Sequence, residues 1–320
     1  MRAKFNQPNS TLIWELALIC VALIWGSTFI PVQRATANAD IFSFLFWRFL
    51  LASFFMYLAS LKFKPKFDTK TIFFGIFCGL MLFFDFTCQT FALRYTLSSS
   101  VAFILGLNVI MVPFMMYAFF RKSVGIFAFL GAGVAVLGLF FLSGASNVGF
   151  NLGEQLTLIS AFMYALHIVF TGVCARRCNL HGFVVMQFVC VSVCTLFAAI
   201  STPHENFANS INLIGNLTFS FKFDFIFALI LTSIFATVFA FFIQTLAQEK
   251  GVSEIKTVLI FTLEPLGAGV LGYIFGEKLS PLQITGAGLI LAGILLSELG
   301  GILSVKFSNK RSGEKADRSD

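Results

Sequence analysis

Three ionisable residues interrupt long apolar stretches of the sequence and are the first candidates for chemistry. Arg48, Asp85 and Glu264 each lie several residues inside such a stretch. If these stretches are membrane-spanning helices, an ionisable group inside one is costly and usually marks a solute pathway or a buried pair. The three residues therefore deserve separate interpretations.

Arg48 and Asp85 are expected to lie at the same depth. Each is seven residues from the same side of the membrane, Arg48 counted from residue 41 and Asp85 from residue 92, which is roughly 10 Å along a helix. We predict that the two form a structural ion pair, which would remove both from contact with a substrate and draw Gln89 away from any cavity. Arg48 could instead extend its long side chain toward the membrane surface.

Glu264 has no obvious cation at its depth in the sequence. It precedes Pro265, whose missing N–H and ring loosen a helix. A carboxyl group in an apolar setting could take and release a proton during a working cycle. We predict that Glu264 couples transport to protons or binds a substrate amine; the alternative is a carboxyl group hydrogen-bonded to a neighbouring helix.

Further polar side chains fall at corresponding points of two halves of the chain. They could surround one cavity with aromatic walls and a few hydrogen-bonding groups, as small-molecule sites do. The alternative is that they bind helices to one another, and for His167 a packed partner is the simpler interpretation. The predicted cavity residues are Trp25, Thr28, Gln89, Asn108, Tyr164, His167 and Gln244, together with Glu264.

The composition places all these residues in an integral membrane protein. Apolar residues make up 58% of the 320 and charged residues only 12%, against about 25% charged in a soluble domain. The apolar stretches have the length of roughly 20 residues that spans a bilayer, and little chain is left for a soluble domain. Ten spans are predicted, at 12–33, 41–61, 71–92, 98–119, 124–143, 152–174, 182–200, 224–247, 257–276 and 282–304.

The net charge of +7 reflects topology and does not indicate nucleic-acid binding. With the N-terminus placed inside, the outer segments hold only Arg34, Arg94, Lys222 and Lys278, and all other lysines and arginines except Arg48 fall on inner segments. Cationic loops stay in the cytoplasm, so we predict a multi-pass protein of the bacterial inner membrane with both termini cytoplasmic. The first span follows a basic start as a secretory signal does, but it is too long for a signal core, and we expect it to be retained.

The sequence also repeats itself. A shift of 139 residues aligns the first two spans with the sixth and seventh, and a shift of 155 aligns the third to fifth with the last three; the difference fits an insertion in the long connection near 201–223. Each repeat would hold five spans, so the second must enter the membrane in the opposite sense, which is the architecture of alternating access. The predicted fold is all-α, with repeats at 12–143 and 152–304 and a cytoplasmic polar tail at 305–320.

Several fragments in order resemble a known family. They are Ile24 to Phe29, Arg48-Phe49, Ala92 to Phe103, Ser160 to Ala165, and above all Leu263-Glu264-Pro265-Leu266 followed by Gly276-Glu277-Lys278, Gln283, Gly286 and Gly293. Together they resemble the EamA-type members of the drug/metabolite transporter superfamily over about residues 12–304. The resemblance implies ten helices, cytoplasmic termini, a central cavity, and export or exchange of small metabolites, often driven by protons. One departure is that Asn108 and Val109 stand where the second repeat has Leu263 and Glu264.

The predicted function is a secondary active transporter that exports a small metabolite such as an amino acid by proton-coupled alternating access. The sequence contains no P-loop, and the seven cysteines fit as small packing residues, so no cofactor, metal or catalytic residue is predicted. Expected partners are a small-molecule substrate, the lipid bilayer, protons and a second copy of the chain in a homodimer. The alternative is a non-transporting membrane protein, either a lipid-handling enzyme or an assembly or sensor subunit.

Overall fold

The protein is largely helical. The computed structural model describes residues 9–142, 151–202 and 209–297, without the side chains of 9–11. The helices are α1 (Asn9–Thr36), α2 (Ile41–Ser60), α3 (Thr69–Ala92), α4 (Ser98–Leu105), α5 (Asn108–Phe120), α6 (Ile126–Leu142), α7 (Leu152–Cys174), α8 (Leu180–Ser201), α9 (Phe223–Ile230), α10 (Ala240–Glu249), α11 (Glu254–Phe261), α12 (Leu263–Ile274) and α13 (Pro281–Ser297).

Within the described residues, eight helical segments are long and apolar enough to cross a membrane, and two further apolar helices, α6 and α13, are shorter. The eight are Leu12–Thr36, Ile41–Phe63, Thr69–Ala92, Ser98–Phe120, Leu152–Cys174, Leu180–Ser201, Phe223–Glu249 and Glu254–Ile274. The predicted ends of the fifth and tenth spans, at 143 and 304, and the predicted tail 305–320 lie outside the described residues. All ten predicted spans nevertheless have a helical counterpart within the described ranges.

Capping residues explain why some helices begin earlier than the hydropathy indicates. Asp68 accepts a hydrogen bond from the Thr71 backbone N–H at 2.9 Å, so α3 begins at Thr69 and not at 71. The hydrogen bonds from Thr71 also lower the pKa of the Asp68 carboxyl. Ser253 likewise accepts from the Lys256 N–H at 3.2 Å, so α11 begins at Glu254 and not at 257.

Two membrane-length helices are broken at corresponding points. The α4–α5 helix breaks at Gly106–Leu107, and the α11–α12 helix breaks at Thr262. Leu107 and Thr262 have the same backbone angles, φ −62° and ψ −16°, which are close to 3₁₀ geometry. These positions are related by the sequence shift of 155, so the repeated sequence produces a repeated local structure.

The segment Leu231–Phe239 between α9 and α10 is π-helical. Such segments are uncommon and occur often at functional sites. Nothing in the hydropathy predicted it, because an apolar stretch does not distinguish one helical hydrogen-bond pattern from another. The segment packs against α1 and α2.

The prediction of an all-α chain needs one correction. Within the long connection before α9, strands β1 (Ser210–Ile214) and β2 (Leu217–Ser220) form an antiparallel hairpin. The turn passes through Gly215 at φ +60°, a conformation that glycine adopts without a Cβ penalty. The hairpin is fixed to α2 because the Ser43 hydroxyl donates to the Asn216 carbonyl oxygen at 2.8 Å and Trp47 Nε1 donates to that of Thr218 at 2.9 Å.

The helices that surround the centre pack closely. In the bundle, α2 lies against α8, and α3 lies against both α7 and α8. On the other side, α1 packs on α12, and a Cβ at Gly26 would lie only 2.7 Å from the Glu264 carbonyl oxygen. Only glycine therefore lets α1 approach the second helix break this closely, which sets where Trp25 and Glu264 meet.

Candidate functional site

A central cavity lies between helices from both halves of the chain. It extends from Trp25 toward the ends of α1 and α3 at Val32 and Leu93. The free space inside it is about 30 Å³, room for about one water molecule, and its walls combine aromatic rings with a few polar groups, as small-molecule sites do. The lining residues are Trp25, Thr28, Phe29, Val32, Arg48, Asp85, Phe86, Gln89, Leu93, Leu105, Tyr164, Phe241 and Glu264.

Glu264 reaches the cavity from the second helix break. It is the second residue of α12, directly after the break at Thr262, and it is buried. Its carboxyl group makes no hydrogen bond or ion pair with the part of the chain that the structure describes. A buried polar group without a partner is unfavourable, so this carboxyl group is available to a proton or to a ligand.

Arg48 enters the cavity from α2 and is held in one orientation. Its Nε donates to the Thr237 hydroxyl at 3.0 Å, which comes from the π-helical segment. Its guanidinium carbon lies 4.4 Å from the centre of the Phe86 ring and 5.4 Å from that of Phe49. Cation–π contacts of this kind are strongest when desolvated, so the guanidinium is a fixed positive group on the cavity wall.

Asp85 lines the same cavity from α3. The Ser160 hydroxyl donates to Asp85 Oδ1 at 2.5 Å, and both residues are buried. The structure thus differs from the predicted direct ion pair: both residues are described, but no Arg48 nitrogen lies within 4.0 Å of an Asp85 carboxyl oxygen. Each has a hydroxyl partner instead, because α2 faces the π-helical segment while Asp85 faces α7.

The same geometry places both residues on the cavity wall, from which the predicted ion pair had excluded them. Gln89, one turn beyond Asp85, also lines the cavity. Gln89 is therefore not drawn out of the cavity, as the predicted ion pair would have required.

Aromatic rings close the cavity on the side away from Val32 and Leu93. The Trp25 ring contacts those of Tyr164, Phe241 and Phe261, with centroid distances of 5.8, 5.2 and 4.9 Å. Trp25 Nε1 donates to the Ala236 carbonyl oxygen at 2.7 Å, which orients the indole. Thr28, one turn along, lines the cavity while its hydroxyl donates to the Trp25 carbonyl oxygen at 2.8 Å.

Three predicted cavity residues do not line this cavity. His167 Nε2 lies 2.7 Å from Gln187 Oε1, and its ring stacks on that of Tyr164. The Tyr164 hydroxyl donates to Gln244 Oε1 at 3.3 Å. Gln244, His167 and Asn108 are all buried without lining the cavity, and each has a polar atom with no partner in the described chain.

The polar partners that sequence reasoning missed come mainly from the π-helical segment and α7. Ala236 and Thr237 hold Trp25 and Arg48, and Ser160 holds Asp85. The available signal was the group of hydroxyls at Thr232, Ser233 and Thr237 within an apolar stretch. Hydroxyl groups there usually bond to the helix itself or to a neighbouring helix, and sequence alone does not separate the two.

The cavity therefore carries one guanidinium and two carboxyl groups between aromatic walls. These are the groups that would contact a small molecule with a cationic group, an anionic group and a compact apolar part. Among the described residues, no three His, Cys, Asp or Glu side chains are grouped so as to hold a metal ion.

Comparison with known proteins identifies the class. Residues 12–144 and 151–299 match the EamA-like transporter family. The chain belongs to this family, which is part of the drug/metabolite transporter superfamily, and it is a membrane transporter by that membership.

Individual relatives agree with this assignment. The chain is 29% identical over 293 residues to a protein of Archaeoglobus fulgidus named "Uncharacterized transporter", a match that covers 89% of this chain and 85% of the relative. It is 31% identical over 119 residues, 36% of the chain and 39% of the relative, to "Uncharacterized transporter in trpA 3'region" of Buchnera aphidicola subsp. Schlechtendalia chinensis. A solved crystal structure shares the fold, with a TM-score of 0.64 at 15% identity, over 92% of this chain and 98% of the other.

Proposed function

We propose that this protein is a secondary active transporter that exports a small zwitterionic metabolite, such as an amino acid, across the bacterial inner membrane. In this proposal the substrate carboxylate binds Arg48, and the substrate amine binds between the carboxyl groups of Asp85 and Glu264. Alternating access moves the substrate, and Glu264 exchanges a proton in each cycle. The observation that carries the proposal is that Arg48, Asp85 and Glu264 share one buried cavity without an ion pair among them.

The alternating-access part rests on two inverted repeats of five spans each. The matching breaks at Leu107 and Thr262 support this arrangement. So do the glycines of α6 and α13: a Cβ at Gly138 would lie 2.7 Å from the Gly286 carbonyl oxygen, and one at Gly293 would lie 2.7 Å from Ala135 N. The sequence shift of 155 aligns Gly131 with Gly286, and Gly138 with Gly293. The contacts are crossed, since Gly131 packs on Gly293 and Gly138 packs on Gly286.

Such reciprocal contacts are what a twofold axis produces between equivalent surfaces. If α6 and α13 also cross the bilayer, the chain has ten spans and both termini on one side. The 17 residues of α6 are at the short end of what a membrane-spanning helix needs. The cationic loops then place the termini in the cytoplasm.

An ion pair joins two helices at the end of the bundle that we place in the cytoplasm. Lys256 Nζ lies 2.5 Å from Glu15 Oε1, which connects α11 to α1. Together with the aromatic wall around Trp25, this contact fits a state that is closed toward the cytoplasm while the cavity extends toward the outer ends of α1 and α3.

Transport is tested with purified protein in sealed liposomes. Each of a panel of radiolabelled amino acids is loaded inside, a pH gradient is imposed, and efflux is followed with and without a proton ionophore. We expect efflux of at least one zwitterionic solute and a change of its rate with the ionophore. If no zwitterion moves while an anion or a cation alone does, the substrate assignment fails; if the ionophore has no effect, proton coupling fails.

A further inference from the structure

A second cavity lies at the opposite end of the bundle from the outer ends of α1 and α3. It has a free volume of about 270 Å³ and lies where α5 and α7 end. We call it the boundary pocket. Its lining residues are Met116, Phe120, Lys122, Gly172, Val173, Arg176, Arg177 and Glu254. None of these residues lines the central cavity, so the two cavities are separate.

The charges of the boundary pocket are unbalanced. Three cations, Lys122, Arg176 and Arg177, face it together with one carboxylate, Glu254. Arg176 Nη2 lies 3.8 Å from Glu254 Oε1, with the side chains 47% and 7% exposed, respectively. Lys122 and Arg177 are exposed and make no ion pair with the described residues, so the pocket keeps two cations available to an anion.

The position of the Glu254 carboxylate leaves the excess positive charge of the pocket uncompensated. A Cβ at Gly172 would collide with the Glu254 carboxyl group. Because residue 172 is glycine, the Glu254 side chain can lie directly against α7. Arg176 is also tied by its Nε, which donates to the Gln248 carbonyl oxygen at 3.2 Å. The excess positive charge of the pocket therefore lies on its exposed side, at Lys122 and Arg177.

The remaining walls are apolar and continue onto the surface that faces lipid. Met116, Phe120 and Val173 line the pocket, and the neighbouring Phe119 is 54% exposed on a helix that is long and apolar enough to cross the membrane. A ligand of this pocket has an anionic group beside an apolar part. A free anion would use only the cations and leave the apolar walls unoccupied.

We propose that the boundary pocket binds the headgroup of an acidic phospholipid, with its phosphate between Lys122 and Arg177 and its acyl chains along Met116 and Phe120. Basic pockets at the ends of membrane helices bind acidic headgroups in this way. The bound lipid would bridge the end of α5 to the end of α7. The proposal does not rest on the transport function or on the substrate of the central cavity.

The test is a lipid titration of the delipidated full-length protein in mild detergent, followed by native mass spectrometry. Phosphatidylglycerol is compared with phosphatidylcholine that has the same acyl chains. The pocket variant is K122Q/R176Q/R177Q. The matched control is K62Q/K64Q/K66Q, which removes three exposed cations from another loop at the same end of the bundle.

Each cation near a membrane surface contributes about 1 kcal/mol toward an acidic lipid, or roughly fivefold in affinity. We expect the pocket variant to bind phosphatidylglycerol roughly a hundredfold more weakly than the wild type and the control to bind it within about threefold of wild type. Preference over phosphatidylcholine should disappear only in the pocket variant. If the pocket variant does not fold, K122Q alone, which leaves the bonds of Arg176 intact, should lose about fivefold.

Three results would overturn the proposal. One is unchanged binding of phosphatidylglycerol by the pocket variant. Another is an equal loss in the control, which would mean that diffuse surface charge attracts the lipid. The third is full displacement of phosphatidylglycerol by millimolar inorganic phosphate, which would identify the ligand as a free anion.

Discussion

The α4–α5 break and the α11–α12 break have the same backbone geometry and different chemistry. Leu107 and Thr262 share their φ and ψ angles, but the residues that follow differ. In the first half, Val109 is fully buried in the hydrophobic core. In the second half, its counterpart Glu264 lines the central cavity. The acidic group is thus present at one break only, so the two breaks share a backbone geometry while one alone carries a carboxyl group at the cavity.

The largest expected effect is that of Glu264→Gln, which keeps the shape of the side chain and removes its titration. We expect the proton-driven rate of efflux to fall on the order of a hundredfold, the lower end of what a positioned proton-transfer group contributes. The measurement is efflux from liposomes at a series of imposed pH gradients. The matched control is Val109→Ala at the corresponding break, which should keep the pH dependence. An E264Q protein with full pH-driven efflux would show that the acidic break is not the coupling site.

The next largest effect is expected at Arg48. Hydrogen bonds to charged groups contribute about 1.5–3 kcal/mol, so Arg48→Gln should raise the half-saturating concentration of a zwitterionic substrate by about tenfold to a hundredfold. Arg48→Lys keeps the charge but loses the planar contact with Phe86, and should give a smaller increase.

The diagnostic readout for Arg48 is a substrate pair that differs at one group, an amino acid and its carboxamide. The wild type should prefer the amino acid, and R48Q should lose that preference. An R48Q protein that still discriminates between the two would assign the guanidinium a structural role beside Thr237.

The contrast between the breaks also shows what could be predicted from the sequence. The spans follow from hydropathy because each apolar stretch must hide its backbone polar groups in a helix. The alignment of the two repeats also shows that only the second repeat has an acidic residue at this position, Glu264. The depth of Arg48 and Asp85 follows from counting residues along a helix, and both do line one cavity.

What could not be predicted depends on rotation and lateral packing of helices. Counting residues does not tell which neighbour a side chain faces, so the sequence predicts that Asp85 pairs with Arg48, whereas Asp85 bonds to Ser160. For the same reason the sequence predicts His167 in the cavity, whereas His167 contacts Gln187. The π-helical segment depends on long-range contacts with Trp25 and Arg48. The hairpin after residue 209 depends on a long-range contact with Ser43. No local sequence pattern encodes these contacts.

The two broken helices differ at their N-termini as well, and a smaller effect is expected there. At α4, the preceding Leu97 provides no side-chain cap, and Glu277 from the other half of the chain serves instead. Its carboxylate accepts from Ser98 N at 2.9 Å, Ser98 Oγ at 2.6 Å and Ser99 N at 3.1 Å. A carboxylate at a helix N-terminus also interacts favourably with the helix dipole.

Glu277→Ala should therefore lower the free energy of unfolding by about 2 kcal/mol, since it removes hydrogen bonds to a charged acceptor. Glu277→Gln, which keeps one acceptor oxygen, should cost less. The measurement is unfolding in mixed micelles with increasing dodecyl sulfate, followed by circular dichroism. Equal stability of wild type and E277A would mean that water caps α4 equally well.

The smallest effect is expected at the N-terminus of α11, where the cap is local. Ser253 accepts one hydrogen bond from Lys256 N at 3.2 Å in an exposed position, so Ser253→Ala should cost about 1 kcal/mol in the same unfolding assay. The counterpart of Glu277 by the sequence shift is Lys122, a cation that cannot accept the N–H groups of α11. A cost for S253A as large as that for E277A would mean that the cap within one half stabilises the fold as much as the cap between halves. A smaller cost would mean instead that the contact between halves contributes more to fixing a broken helix than the local cap does.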